Sequence, residues 1–215
     1  MDRASRKRTE ILDAAYRIFS EKGYHSTRIE DIASEMGMAQ GLFYRYFRNK
    51  LDIFSQIIEE IVQRITEGVM TDTPGTSNTL EEYIDQMKRA LENFFEIFIE
   101  DPFISKLLFY EALGIDDEIN QTIQDAQDLF GEYSSLYVEN GIKKGILRSD
   151  IQVKETAFAF NAIVFEAVRR ISQAEDKEQA KAYWTKAIVD LMIGGTADKK
   201  ALEQLDSDSG ILPSK

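Results

Sequence analysis

Residues 27–50 read TRIEDIASEMGMAQGLFYRYFRNK, and this stretch decides the fold of the N-terminal part of the chain. Thr27-Arg28-Ile29-Glu30 has the form of a capping box, which predicts the start of a short helix that ends before Gly37. A second short helix is expected from Ala39 or Gln40 to Phe47. Because glycine permits the positive φ of a sharp reversal, the stretch predicts a helix-turn-helix.

Longer helices are predicted on both sides of this motif. Apolar residues at helical spacing from Ile11 to Phe19 predict a first helix that ends at Gly23. Asn49 is expected to cap a long helix after the motif, and residues 71–78 look like a linker. Further apolar stripes predict helices over about 80–98, 102–113, 119–141, 152–171 and 177–193, with Gly194-Gly195 ending the last of them.

The predicted fold class is therefore all-α, with a three-helix N-terminal head followed by a larger helical body. We expect the head at residues 1–47, the body at 48–205 and a disordered tail at 206–215. Capping patterns support further helix starts at Thr79-Leu80-Glu81-Glu82 and at Asp101-Pro102.

Composition excludes several classes of protein. The 215 residues include no cysteine and one histidine, His25, so disulfides, thiolate metal sites and thiol nucleophiles are excluded, and the usual catalytic triads are disfavoured. No phosphate loop or metal cluster is apparent, so we expect no enzyme, no cofactor and no metal. No apolar stretch is long enough for a membrane helix, and the start lacks the apolar core of a secretory signal. The expected location is cytoplasmic.

Charge is distributed unevenly along the chain. The net charge is −12, yet residues 1–50 hold ten lysines and arginines against seven aspartates and glutamates, a balance of +3. The other 165 residues hold sixteen basic and thirty-one acidic groups, a balance of −15. A mildly cationic end on an anionic chain is compatible with nucleic-acid binding by that end.

The second short helix of the motif has side chains suited to DNA. Gln40 can read an adenine edge, Gly41 lets the backbone approach, and Tyr44 and Arg45 can bond phosphates. Lys50, at the start of the next helix, adds its charge to a helix N-terminus and is a candidate phosphate clamp. The alternative is a structural three-helix cap with ordinary polar surface residues.

At this point the sequence resembles the TetR family of transcriptional regulators. The resemblance covers residues 9–54 and is carried by Gly23-Tyr24 through Thr27, by Ile32-Ala33 and Gly37, and by residues 41–50, GLFYRYFRNK. It implies a helix-turn-helix DNA-binding domain at 1–47, an effector-binding and dimerisation body at 48–205, and a homodimer on double-stranded DNA.

The resemblance also implies roles for single residues. Thr27 would cap the second helix and touch phosphate, Tyr44 would bind phosphate, and Lys50 would contact the DNA backbone. Arg28, Gln40 and Gly41 match positions that face the groove. Two departures occur: Ala39 stands where the family often has serine, which removes one hydroxyl contact, and Leu51 stands where an acidic residue is common.

In the body, the two most apolar helices, near 152–171 and 177–193, are expected to form an intersubunit four-helix bundle, because an exposed apolar face is an aggregation hazard in a monomer. The dimerisation candidates are Phe160, Val164, Phe165, Trp184, Ile188 and Leu191. Aromatic residues on the earlier helices are either core or the wall of a cavity for a small-molecule effector. The effector-binding candidates are Phe94, Phe98, Phe109, Tyr110, Phe130, Tyr133, Tyr137, Asn161 and Glu166.

Glu166 interrupts an apolar helix and must be paired or hydrogen-bonded where it is buried. Its partner is a cationic ligand, an arginine such as Arg169 or Arg170, or solvent at the bundle edge. His25 is expected at the surface near phosphate, without a role as a base. The function that these expectations favour is a ligand-responsive repressor released from a near-palindromic operator by a small apolar effector. The alternative is a helical ligand-binding sensor with neither DNA-binding nor catalytic activity.

Overall fold

The computed structural model describes residues 3–70 and 73–209, with side chains described only as far as residue 205. Within these ranges the regular elements are helices joined by turns and loops, and the β structure is limited to an isolated bridge between Leu147 and Ala197, so the prediction of an all-α fold is confirmed. The helices are α1 (Arg3–Lys22), α2 (Ile29–Glu35), α3 (Gln40–Phe43), α4 (Lys50–Val69), α5 (Leu80–Glu100), α6 (Pro102–Lys106), a π-helical segment (Leu107–Glu111), α7 (Asp117–Lys143), α8 (Val153–Gln173), α9 (Lys177–Thr196) and α10 (Lys199–Ser209).

The chain forms two compact units, and the first of them is discontinuous in sequence. It contains the residues up to Arg64 together with Asp101–Gln124. The second contains Ile65–Glu100 and the residues from Asp125 onward. The first unit therefore extends beyond the head expected at 1–47, since it includes most of α4 and a later segment.

An aromatic cluster forms the core of the first unit. The rings of Phe19 and Phe54 meet edge to face at 5.1 Å, and Tyr24 lies 4.6 Å from Phe54. Phe43 and Phe47, which flank the end of α3, are buried with ring centroids 5.6 Å apart. These side chains hold α3 against the longer helices because aromatic groups bury a large apolar area each.

The later segment of the first unit holds the end of α1 in place. Helix α1 stops at Gly23, which has a φ of +82°. The backbone N–H of Tyr24 donates to a carboxylate oxygen of Glu111 at 3.0 Å, and the Lys106 ammonium donates to the Ser20 carbonyl at 2.5 Å. A Cβ at position 23 would lie 2.9 Å from the Glu111 carboxylate, so glycine is required both by its φ and by this neighbour.

The second unit packs α5 against α8 and α9. Phe94 lies at its centre, with its ring within 5.2 Å of Phe98 and 6.0 Å of Phe165. Helices α7 and α8 approach closely at Gly131, where a Cβ would meet the ring of Phe158 at 2.4 Å. A glycine in the middle of α7 is therefore explained by this approach.

Three of the predicted caps are confirmed, among them Asp101 at the start of α6, and a fourth is wrong. The Asn49 and Thr79 side chains accept hydrogen bonds from the N–H groups of Asp52 at 2.8 Å and Glu82 at 3.2 Å. Helix α2 instead has Arg28 at its N-cap, and the Asp31 carboxylate accepts from the Arg28 N–H at 2.7 Å. Thr27 does not cap α2, because its hydroxyl donates to the Gly23 carbonyl at 2.7 Å.

The ends of α3 and α9 also differ from expectation. Regular α3 stops at Phe43, and single turns continue the chain to Phe47, whose N–H donates to the Phe43 carbonyl at 3.1 Å. Gly194 and Gly195 lie inside α9, which runs on to Thr196. The helix ends where Ala197 bridges to Leu147, a contact between residues distant in sequence.

The C-terminal region contains a helix that the periodicity did not predict. Helix α10 runs to Ser209, so the first four residues of the expected disordered tail are helical. The remaining six residues of that tail, 210–215, lie outside the described part of the chain.

Candidate nucleic-acid interface and ligand cavity

One side of helix α3 is exposed to solvent and carries polar side chains, and the other side packs against the core. Gln40, Gly41, Tyr44 and Arg45 are exposed, whereas Phe43 is fully buried. Tyr44 is 52% exposed and rests edge to face on the Phe43 ring. An exposed, well-anchored short helix of this kind can be placed in a major groove about 12 Å wide.

The fold itself does not require the glycine at position 41. Its φ lies outside the left-handed region, and a Cβ built there would meet no other atom within 4 Å. Glycine in a helix also costs roughly 0.5–1 kcal/mol relative to alanine. Close approach by a molecule outside the chain is a physical reason to keep glycine at this exposed position.

We therefore expect Gly41→Ala to raise the stability of the protein by about 0.5 kcal/mol while weakening operator binding at least tenfold. Thermal unfolding and fluorescence anisotropy on labelled DNA would measure the two effects. Ser34→Ala, at an exposed position of α2, is the matched control, since it improves helix propensity without altering α3. Unchanged DNA affinity in Gly41→Ala would contradict close approach of α3 to DNA.

Lys50 is bound within the protein. Its ammonium donates to the carbonyl oxygens of Tyr24 at 2.8 Å and Thr27 at 3.0 Å, and it lies 4.2 Å from the centre of the Tyr24 ring. Partial burial lowers the pKa of this lysine. An ammonium has three donors, so one remains for a phosphate, but the main contact of Lys50 is with the loop between α1 and α2.

The other residues predicted to contact DNA differ in exposure. Thr27 is 1% exposed, and its hydroxyl is bonded to the Gly23 carbonyl. Arg28, Ala39 and His25 are exposed, and the His25 ring stands edge to face on Tyr24. The Gln40 amide nitrogen lies 3.5 Å from a Glu30 carboxylate oxygen, which is too long for a strong hydrogen bond, so this side chain can turn to another partner.

The second unit contains an apolar cavity of about 120 Å³ between α5, α7 and α8. None of the described residues in its wall carries a charged side chain. The wall is formed by Val69, Tyr83, Gln86, Met87, Ala90, Leu91, Phe94, Phe130, Tyr133, Ser134, Tyr137, Val138, Ala157, Phe160, Asn161, Val164, Phe165 and Met192. A mostly apolar wall with a few polar groups is typical of a small-molecule site.

The predicted effector residues separate into two groups. Phe94, Phe130, Tyr133, Tyr137 and Asn161 line the cavity. Four others lie outside its wall, namely Phe98, Phe109, Tyr110 and Glu166.

The predicted effector residues outside the cavity wall lie in different surroundings. Phe98 is buried in the core beside Phe94, whereas Tyr110 belongs to the first unit and is 54% exposed. Glu166 forms ion pairs with Arg169 at 2.6 Å and Arg170 at 2.7 Å, which hold its pKa near 2. Of the partners considered for Glu166, the structure therefore shows the two arginines.

Most polar groups of the wall have partners inside the protein. The Gln86 side chain accepts from the Ser77 hydroxyl at 2.5 Å and donates to the Thr73 carbonyl and the Thr76 hydroxyl. The hydroxyls of Tyr133 and Tyr137 lie 3.2 Å apart. Burial raises the pKa of Tyr83 to about 12, so its phenol stays neutral.

Several wall residues were missed by sequence reasoning. Tyr83, Gln86, Met87 and Met192 line the cavity without having been effector-binding candidates, although Met87 and Met192 belong to the apolar residues of their predicted helices. A polar residue such as Gln86, which is 2% exposed in an otherwise apolar stripe, is the signal that could have located this wall.

The predicted dimerisation residues mostly face inward. Ile188 is 1% exposed, and Phe160, Val164 and Phe165 line the cavity. Trp184 is half-buried, whereas Leu191 is 60% exposed.

An exposed stripe nevertheless runs along α9 at four-residue spacing, formed by Tyr183, Ala187 and Leu191. Tyr183 is 65% exposed and was not among the candidates. Two large apolar side chains, Tyr183 and Leu191, are thus exposed on one face of α9, as is typical of an interaction surface.

Among the described residues, no group of three or more histidine, cysteine, aspartate or glutamate side chains is arranged to hold a metal ion. No described helix is both long and apolar enough to cross a membrane.

Comparisons with known proteins agree with this arrangement. Residues 11–57 match the family model for bacterial regulatory proteins of the tetR family. The HTH-type transcriptional repressor KstR2 of Rhodococcus jostii is 30% identical over 166 residues, which cover 73% of this chain and 74% of that protein. The fatty acid metabolism regulator protein of Bacillus subtilis is 22% identical over 193 residues, covering 90% of this chain and 97% of that protein.

The fold also resembles a solved structure over most of its length. The crystal structure of the transcriptional regulator FadR from Bacillus subtilis in complex with stearoyl-CoA superimposes with a TM-score of 0.68. The match covers 87% of this chain and 98% of that chain at 21% sequence identity, so it bears on the fold alone.

Proposed function

Because the chain belongs to the TetR family and is thus a ligand-responsive DNA-binding regulator, we propose that it is a homodimeric repressor which a small apolar effector releases from a near-palindromic operator. The single observation that carries the DNA part is α3, whose exposed face combines Gln40, Gly41, Tyr44 and Arg45 over a fully buried Phe43. The expectation that the protein acts in the cytoplasm and without catalysis belongs to the same proposal.

In this proposal the contacts of α3 and its surroundings divide into two kinds. Gln40 reads a base edge, and Gly41 allows the backbone of α3 to come close to the DNA. Arg28 also faces the groove, whereas Tyr44 and Arg45 bond phosphates, which position the protein without reading sequence. Ala39 has no polar side-chain atom, so it only allows the start of α3 to come close to the DNA. Thr27 acts indirectly, because its hydrogen bond to Gly23 holds the loop before α2.

The exposed stripe on α9 supports the homodimer. Tyr183 and Leu191 are both more than half exposed, and a twofold partner would cover the same stripe on each subunit. Two α3 helices related by a twofold axis would then read half-sites about one helical turn, or a multiple of it, apart. This geometry is the reason to expect a near-palindromic operator.

The size of the cavity restricts the effector. A dry cavity of about 150 Å³ binds a molecule the size of benzene, so about 120 Å³ accommodates a comparably small molecule. The FadR structure was solved with stearoyl-CoA, whose acyl chain is far larger. A long acyl chain would fit here only if the helices around the cavity moved apart.

Release of the operator requires the effector to favour a dimer whose two heads no longer match successive major grooves. Such coupling is reciprocal, so operator DNA must weaken effector binding by the same factor by which the effector weakens DNA binding. Equal effector affinity with and without operator would contradict this mechanism.

Selection of binding sites from a random DNA pool tests the function directly. We expect the recovered sites to be near-palindromic, and we expect Gln40→Ala to relax the preference at one position in each half-site, because one base contact of about 1–3 kcal/mol is lost. Tyr44→Phe is the control, since loss of a phosphate contact should weaken operator and scrambled DNA alike. Failure to enrich any sequence would favour the sensor without DNA-binding activity.

A further inference from the structure

We infer that the effector is electrically neutral and carries a hydrogen-bond acceptor, such as a carbonyl oxygen, to which the side-chain amide of Asn161 donates. The inference rests on the proposed function in one respect only: it takes the cavity of the second unit as the effector site. It adds the chemical class of the ligand and the residue that selects it.

Asn161 has one satisfied atom and one unsatisfied atom. Its side-chain oxygen accepts a hydrogen bond from the Ser134 hydroxyl at 3.0 Å. Its side-chain nitrogen is buried and has no hydrogen-bond partner among the described residues. In this arrangement the serine hydroxyl engages the amide oxygen, and the nitrogen is the atom left over.

A buried donor without a partner is unfavourable, and folded proteins rarely contain one without a reason. Asn161 and Ser134 both lie in the wall of the apolar cavity, so the residue with the unsatisfied nitrogen belongs to a space that suits a small apolar molecule. A ligand oxygen placed against this wall would satisfy the donor. An apolar ligand of the same shape would leave it unsatisfied.

The remaining polar groups of the wall offer less to a ligand. Gln86 has partners for both of its amide atoms within 73–77, and the Tyr133 and Tyr137 hydroxyls are close enough to bond each other. Tyr83 keeps its proton at neutral pH and is the second candidate donor. It is therefore the residue against which the assignment to Asn161 must be tested.

The wall also excludes ionised ligands. All of its described side chains are uncharged at neutral pH, so a carboxylate or phosphate placed in the cavity would lose its hydration without gaining a counter-charge. The acceptor must then belong to a neutral group such as a ketone, an ester, a lactone or an amide.

Three probes of nearly equal size separate these properties. Acetophenone has a carbonyl acceptor, ethylbenzene has the same carbon skeleton without the oxygen, and benzoate carries a charge. Isothermal titration of the full chain should show acetophenone binding about tenfold more tightly than ethylbenzene, as expected for one net hydrogen bond, and benzoate should show no binding at the same concentrations. Equal affinity for the two neutral probes, tight benzoate binding, or no binding of any probe would each overturn the inference.

Two variants assign the donor. Asn161→Leu preserves the side-chain volume approximately and removes both polar atoms. This variant should therefore bind acetophenone and ethylbenzene with about equal affinity. Tyr83→Phe is the matched control and should keep the preference. Loss of the preference in Tyr83→Phe with retention in Asn161→Leu would contradict the assignment to Asn161.

A further measurement does not depend on the folding of a variant. The carbonyl stretching band of acetophenone bound to the wild-type protein should lie at lower frequency than in hexane, because a hydrogen bond weakens the C=O bond. A band at the hexane position would overturn the inference even if Asn161→Leu failed to fold. All of these readouts are made without DNA, so a failure of operator release would count against the proposed function and leave the ligand class intact.

Discussion

Replacement of Leu191 by glutamate should convert the protein to a monomer and lower operator affinity by about a hundredfold or more. Leu191 is 60% exposed in the α9 stripe, and in a twofold interface the substitution would bring two carboxylates together in place of two apolar side chains. A monomer binds one half-site and loses the gain from simultaneous engagement of both, which is on the order of 10²–10⁴. Sedimentation equilibrium and fluorescence anisotropy would measure the two effects.

Leu113→Glu is the matched control for this substitution. Leu113 is 56% exposed, close to the value for Leu191, but it belongs to the first unit. We expect this variant to stay dimeric and to bind operator with an affinity within threefold of the wild type, a change of less than about 0.7 kcal/mol. A dimeric Leu191→Glu protein would place the subunit interface away from the α9 stripe.

Lys50→Met should lower the free energy of unfolding by about 2 kcal/mol and weaken binding to operator and scrambled DNA together. Methionine keeps the apolar stem but loses the ammonium that bonds the Tyr24 and Thr27 carbonyls, and hydrogen bonds to charged groups contribute about 1.5–3 kcal/mol each. The lower part of this range applies because Lys50 is only half-buried. Urea unfolding and salt titrations of DNA binding would measure both effects.

Arg48→Met removes an equal charge two residues earlier and serves as the control. The Arg48 side chain is 86% exposed and pairs with Asp52, so its loss should leave the free energy of unfolding nearly unchanged, because exposed ion pairs contribute little to stability. If Lys50→Met altered the salt dependence of DNA binding and left the unfolding free energy unchanged, Lys50 would act as a phosphate clamp and not as a link between α4 and the α1–α2 loop.

The helix-turn-helix was predictable because its signals are local. Gly23 and Gly37 both adopt a positive φ, at +82° and +59°, and each ends a helix whose apolar residues repeat at helical spacing. Gly194 and Gly195 resemble these positions in sequence and still lie within α9. The difference is that α9 ends where Ala197 pairs with Leu147. Because Leu147 is distant in sequence, the residues around the two glycines give no sign of this pairing.

The types of residue at the two sites could be predicted from the sequence. The direction in which each side chain points could be predicted less well. Glu166 pairs with arginines three and four residues away, and such spacing can be recognised in a sequence. Phe160 and Val164 were expected at a subunit interface, yet they line the cavity. A helix that is apolar on most sides does not reveal which side faces a cavity and which a partner. For the same reason Tyr183, which is next to Trp184 in the sequence and is exposed, was not among the dimerisation candidates.

The way α1 ends has a consequence for the recombination of regulators of this kind. The N–H of Tyr24 is bonded by a carboxylate that the chain supplies 87 positions later, after α5 has been completed in the other unit. A chimaera with a single crossover after α4 would combine Gly23 from one parent with position 111 from the other. The first unit can therefore be exchanged intact only with three crossovers, after residues 64, 100 and 124, or between parents that share both the glycine and the glutamate.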